Sequence, residues 1–234
     1  MKRILLILLT ASCCYGPLSL AGENPLKPYT ANYTVEHDDE VVANSVVSLQ
    51  KTEDGNWRYE SESRLTSLVA QILGVAVNEQ SEWSWDNHVQ IHSYRYKRSG
   101  KEKHVHLRFD WQQMKVTNTI NGDPWQMDIP AGTQDKLSIN LALMAHLAQS
   151  ETDISIPVAD GGKLKTYDYK ILGRESITTA LGPVNTIKVT RNKRGRKDRQ
   201  AILWLAPELG YVLVRMEKTD KDGEIAILKI QQLD

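Results

Sequence analysis

From residue 29 onward, apolar and polar side chains alternate in short runs separated by turn residues, the period-two pattern of strands that bury one face. "YTANYTVEH" (29–37) precedes Asp38-Asp39, and "EVVANSVVSL" (40–49) follows. The turn residues Glu53-Asp54-Gly55-Asn56 lead into "WRYESESR" (57–64), where Trp57, Tyr59, Ser61 and Ser63 share one face. "QSEWSW" (80–85), "VQIHSYRYKR" (89–98), "KHVHLRFDW" (103–111), "MKVTNTI" (114–120) and "WQMDI" (125–129) continue the series. Asn121-Gly122 joins the last two as a hairpin turn. A second series comprises "KLKTYDYKIL" (163–172), "ESITTA" (175–180), "VNTIKVTR" (184–191), "QAILWLA" (200–206), "YVLVRMEK" (211–218) and "EIAILKIQQL" (224–233). Asp222-Gly223 turns its last pair. This spacing predicts a mostly β chain. Its antiparallel meander should form a β-barrel or curled half-barrel, with one longer apolar helix and one short helix packed on it.

Two segments interrupt the alternation. "TQDKLSINLALMAHLAQ" (133–149) has helical spacing: Leu137, Leu141, Met144 and Ala148 stack on one face, and Leu143 and Leu147 widen it. Thr133 or Asp135 can cap the first turn. So apolar a helix must pack against or into the curved sheet. In "LTSLVAQILGVAV" (65–77), Leu65, Leu68, Val69, Ile72 and Leu73 suit a short amphipathic helix that Gly74 would end. With no internal repeat or linker, residues 22–234 are expected to be a single domain.

The N-terminus changes the picture by assigning a compartment. Lys2 and Arg3 precede the apolar run Ile4–Leu9, and Ser19-Leu20-Ala21 supplies small residues for a peptidase. Residues 1–21 therefore read as a cleaved signal peptide, and the mature domain as periplasmic. The alternative is a lipid anchor through Cys13 or Cys14, although Thr10-Ala11-Ser12-Cys13 lacks the Leu and the Gly or Ala of a good acylation signal. Both cysteines fall in the removed segment, so the mature chain is expected to have no disulfide, thiol nucleophile or Cys-bound metal. Without Lys2 and Arg3 the mature chain carries 27 basic and 29 acidic residues, a balance unlike that of a nucleic-acid binder. No second apolar run approaches membrane-spanning length.

Candidate chemistry is sparse. His104 and His106, two apart on a strand, have the spacing of a two-imidazole metal site. A two-residue turn at Ser99-Gly100 would pair Arg95 with His104 and Ser93 with His106. The face holding both histidines then also holds Arg95, Lys97 and Arg108, and His92 points the other way with Val105 and Leu107; a three-residue loop would instead flip that parity and could bring His92 near His106. A divalent cation there would meet positive charge, no carboxylate and no third ligand, so a solvated polar face is expected and no cofactor. His37, His88 and His146 have no partner in sequence, and His146 falls on the polar side of its helix. Glu60 and Glu62 share a strand face and are expected in solvent, and Asp135 is expected to cap a helix rather than act as an acid. No nucleophile elbow, phosphate loop, dinucleotide fingerprint or His-Glu-x-x-His occurs. "RNKRGRKDR" (191–199) carries six basic residues and one acid. Arg191, Lys193, Arg194, Arg196 and Lys197 thus make a cationic hairpin tip that either faces water or meets an anionic surface such as lipid headgroups.

Two stretches carry a resemblance. "TQDKLS" before an apolar helix, and "ILWLAPELGYVLVRME" followed by "DKDGEI", resemble the signatures of the exported bacterial family catalogued as domain of unknown function 3108; "YTANYTV" fits its first strand. The Trp-x-x-Pro hairpin is also similar to periplasmic lipoprotein carriers, in which a curved sheet and covering helices enclose an apolar cavity. Leu213 stands where many of those place Pro. The resemblance implies fold and export and transfers no catalytic residue. The expected function is a non-catalytic periplasmic binding or carrier module for a hydrophobic or lipid-like ligand. The helix at 135–149 would cover its pocket, and Leu68, Val69, Ile72 and Leu73 would gate it. The alternative is a structural or interaction protein of the envelope with a filled barrel, docking an envelope protein and holding no small ligand.

Overall fold

Alternation along the chain becomes fourteen strands. The computed structural model describes residues 23–68, 76–99, 103–193, 200–220 and 222–234. The first eight strands are β1 (Tyr29–His37), β2 (Glu40–Lys51), β3 (Trp57–Leu65), β4 (Ala76–Trp85), β5 (Val89–Arg98), β6 (Lys103–Asp110), β7 (Lys115–Ile120) and β8 (Asp123–Asp128). Helix α1 (Ile139–Ala148) follows. The remaining six are β9 (Asp153–Asp160), β10 (Lys163–Thr179), β11 (Gly182–Lys193), β12 (Gln200–Ala206), β13 (Val212–Thr219) and β14 (Ile225–Leu233).

All fourteen form one antiparallel sheet in the order β8 to β1, then β14 to β9. Each half is a meander, and the halves join where the first strand pairs with the last. Thr30 and Asp234 exchange backbone hydrogen bonds of 2.9 Å there. The edges are β8 and β9, which do not pair with each other. The sheet is therefore curled but not closed into a barrel. Its edges nonetheless approach. Gly162, in the β9–β10 turn, has φ +74, and a Cβ there would lie 2.5 Å from Cζ2 of Trp125 on β8. With its amide turned to satisfy both atoms, Asn118 accepts from Gly162 N and Trp125 Nε1, each at 3.1 Å.

The interior is filled at one end. Seven of the ten residues of α1 are buried: Ile139, Leu141, Ala142, Leu143, Met144, Ala145 and Leu147. The helix is thus apolar nearly all round rather than on one stripe, as a helix inside a curled sheet must be. Trp83, Leu49, Ile91, Ile156, Leu203 and Leu205 of the strands belong to the same buried cluster as the helix.

Three expectations are revised. The helix begins at Ile139, not at 133, because Gln134 is drawn into an extended bridge with Val158 of β9. Strand β9 escaped the pattern because Pro157 interrupts it. A proline is tolerated there because β9 is an edge strand. The runs at 163–172 and 175–180 are one long strand, since Gly173 makes a register-shifting bulge rather than a break. The short helix expected in 65–77 falls mostly on residues 69–75, outside the described residues.

A half-hollow interior as the candidate functional site

Between β8 and α1 the chain crosses the interior as a strap. Thr133 Oγ1 donates to Pro130 O at 2.7 Å. Gln134 N donates to Pro157 O, and Ala159 N to Gln134 O, both at 2.8 Å, which ties the strap to β9. Gln134 Nε2 reaches Val89 O on β5 at 2.8 Å. One glutamine thus links both sides of the curled sheet. Asp135 Oδ1 accepts from Leu137 N (2.7 Å), Ser138 N (2.8 Å) and Ser81 Oγ of β4 (3.0 Å). Ser138 Oγ accepts from Asp135 N at 3.0 Å, so the two residues cap each other in a turn that leads into the helix. Asp135 is fully buried, and its Oδ2 has no partner. Burial raises its pKa to about 6 against the pull of those hydrogen bonds.

Beyond the strap the interior is hollow. A cavity of about 470 Å3 is floored by Leu137, Ile139 and Asn140 and walled by inward residues of β1–β4 and β9–β14. It opens at the end where Gln200 and Lys218 are exposed. Its wall is mixed. Val47, Leu213, Met216 and Leu228 are apolar; Ser45, Ser61 and Ser63 are hydroxylic, and Ser63 Oγ donates to Ser45 Oγ at 2.9 Å. Tyr33 donates to Leu213 O at 2.9 Å and Tyr29 to the Tyr59 hydroxyl at 3.2 Å. Burial pushes Tyr59 up to about 12 and Tyr33 well above its ordinary value, so both are neutral hydroxyls.

Six charged side chains line the cavity: Lys136, Lys165, Arg191, Lys218, Glu79 and Asp160. Both acids are engaged. Tyr94 donates to Glu79 Oε1 at 2.5 Å, and Lys165 pairs with Asp160. Lys136 Nζ lies 5.4 Å from the ring centre of Tyr96, and the Arg191 guanidinium 5.2 Å from that of Tyr167. Among the described residues no histidine or cysteine lines the cavity, and no group of three or more His, Cys, Asp or Glu could hold a metal.

The residues singled out from sequence scatter. Leu68 is 72% exposed. Val69, Ile72 and Leu73 lie outside the described residues, as do Arg194, Arg196 and Lys197. Arg191 is not at a hairpin tip but on the cavity wall, and only the backbone of Lys193 is described. His104 and His106 do share a face with Arg95, Lys97 and Arg108, but the pairing is displaced by two residues: Arg95 meets His106 and Lys97 meets His104. Arg98 pairs with Lys103, so four residues rather than two connect the strands. Burial and then Arg95 and Arg108 lower the pKa of His106. His146 has a partner after all, Glu151 at 2.8 Å. Lys136, Glu79, Lys165, Tyr167 and Lys218 were not foreseen. The available signal was polar residues in inward register, of which Ser61 and Ser63 were noticed.

A curled antiparallel meander, plugged at one end by a strapped helix and hollow at the other, defines a β-barrel-like protein with an internal cavity. The chain belongs to the family described as protein of unknown function (DUF3108), whose model matches residues 29–229. Among curated proteins none matches it. The β-barrel-like protein of domain of unknown function DUF1849 from Brucella abortus is similar in structure, with TM-score 0.61 at 10% identity over 88% of this chain and 97% of that one. That likeness shows the fold alone. The MucA/MucB complex of Pseudomonas aeruginosa matches with TM-score 0.35 at 10% identity, over 88% of this chain and 51% of that one, a score too low to support any conclusion.

Proposed function

We propose that the protein is a non-catalytic binding module of the cell envelope whose cavity holds a lipid-like ligand. The observation that supports this reading is the half-hollow interior: the strap and α1 fill one end, and a cavity of about 470 Å3 remains at the other. That volume lies within the range of about 300–1,000 Å3 usual for small-molecule sites. Residues 1–21 would be removed on export, leaving a periplasmic domain; the intact mass of the mature protein tests this, and a diacylglyceryl group on Cys13 or Cys14 would make it an anchored lipoprotein instead.

The open end also carries Val41, Leu65, Leu68 and Ile225, all exposed. These, with the basic run at 191–199, favour contact of the mouth with a lipid surface. In this reading Val69, Ile72 and Leu73 would act with Leu68 at the entrance, since β3 ends and β4 begins at that rim.

Native mass spectrometry of protein purified from the periplasm, followed by solvent extraction, is the test. A bound mass that extracts as lipid is expected. A protein whose cavity is empty by this measure, and which instead copurifies stoichiometrically with an envelope protein, would refute the carrier reading in favour of the interaction reading.

A further inference from the structure

Strand register orders the charges on the outside of the sheet. Tyr59, Ser61 and Ser63 of β3 and Glu79 of β4 line the cavity, so their neighbours Glu60, Glu62, Asn78 and Gln80 point outward. Glu60 pairs with Gln80, and Gln80 with Arg95 of β5; Glu62 pairs with Asn78, and Asn78 with Lys97. Two successive rows therefore read acid, amide, base, about 7 Å apart along the strands. Within each row the acid and the base stand two strand spacings apart, about 10 Å. The amides are shorter than the chains beside them, and the six residues line one open groove centred on β4. Arg95 and Lys97 are exposed, and among the described residues no ion pair engages either of them or Glu60. Both contacts from Arg64 to Glu62 end on Oε1.

We infer that this groove docks a second copy of the chain across a two-fold axis lying along β4, so that Glu60 faces Arg95 of the other copy and Glu62 faces its Lys97. A half-turn about that axis exchanges left and right across the strands and keeps position along them. Every acid then meets a base at its own height, and the two rows make four ion pairs. A half-turn about an axis along the rows would instead set Glu60 against Glu62 and Arg95 against Lys97, so the pattern selects one arrangement. One row further from the mouth, Glu82 would meet its own copy on the axis. It already holds Arg58 at 3.8 Å, and the complementarity ends there. Two rows on the outside of a curled sheet make a small contact of exposed ion pairs, so the dimer is weak and depends on salt. Because the axis follows β4, both copies keep the same strand direction, and both cavity mouths open toward the same side. The inference does not depend on what the cavity holds.

The test is sedimentation velocity on the mature protein over a range of concentrations at low and high salt. A monomer–dimer equilibrium is expected. Its dissociation constant should rise at least about tenfold between about 0.01 M and about 1 M salt, where the screening length falls from about 30 Å to about 3 Å. Two charge-reversed proteins then locate the contact: Glu60→Lys with Glu62→Lys, and Arg95→Glu with Lys97→Glu. Each alone sets like charges across the axis and should be monomeric. Their equimolar mixture should form a heterodimer, because a groove with only basic walls then meets one with only acidic walls. A single chain carrying all four substitutions should dimerise with itself again, which tests the pairing even if one double variant folds poorly. Circular dichroism and melting temperature identify a folding defect. A wild-type protein that stays monomeric at low salt would overturn the inference. So would a dimer that survives Arg95→Glu with Lys97→Glu, since its contact must lie elsewhere. Folded variants that remain monomeric both when mixed and when all four substitutions are combined would overturn the two-fold pairing of acid with base.

Discussion

Asp135 permits the most direct check of the strap, because its chemistry and its burial oppose each other. The carboxylate is fully buried, with one oxygen accepting three hydrogen bonds and the other accepting none. Burial wins, and the pKa stands at about 6 instead of 3.8. The folded protein thus binds a proton more tightly than the unfolded chain does. Stability from this group is fully present below about pH 4 and is lost as pH rises through about 6. Two units are worth about 3 kcal/mol over the whole range, of which about 2 kcal/mol falls between pH 4.5 and pH 7.5. Asp135→Asn keeps an oxygen for Ser81, Leu137 and Ser138 but cannot ionise. Its absolute stability is not diagnostic, because the new amide N–H group lacks a partner where Oδ2 lacked one, at a cost of about 1–3 kcal/mol. The pH dependence is diagnostic. Urea unfolding followed by tryptophan fluorescence, on both proteins at both pH values, gives a double difference in which other carboxylates cancel. Wild type should lose about 2 kcal/mol relative to the variant on going from pH 4.5 to pH 7.5. A wild type that instead gains on the variant as pH rises would show the carboxylate held ionised by its N–H donors, and would refute the reasoning.

Other substitutions probe the remaining parts of the fold. Gly162→Ala combines a left-handed φ with a Cβ placed 2.5 Å from Trp125, and should cost about 1–3 kcal/mol in chemical denaturation and loosen the contact between the sheet edges. Leu143→Ala in α1, where the side chain is wholly buried, should cost about 2–5 kcal/mol, measured the same way. Leu68→Ser should change stability by no more than about 0.5 kcal/mol because Leu68 is 72% exposed, and a large drop in melting temperature would show that it is part of the core.

The sequence alone determined the strands whose two faces differ chemically and whose turns carry their own signal. Asn121-Gly122 does close a two-residue hairpin, with Ile120 opposite Asp123 and both turn residues at positive φ. The parity that puts His104 and His106 beside Arg95 and Lys97 was also legible, because the four residues that join β5 to β6 keep the parity of the two-residue turn expected, whereas the pairing itself shifts by two residues. Family membership was carried by "TQDKLS" and the closing hairpins, yet the use of that motif was not. Helical periodicity continues through residues 133–138, and only the presence of β9 and β5 on either side makes it worth more to extend Gln134 between them. The cavity was hidden for a related reason. Arg191 and Lys218 lie 27 residues apart in sequence and read as a loop charge and a strand-end charge. They become one row only when three strands align, and an inward polar residue reads as solvent-facing until the sheet curls around it. Local pattern sets which face a residue shares with its neighbours. Which face is inside, and whether that inside is packed or hollow, is set by long-range pairing that no local window contains.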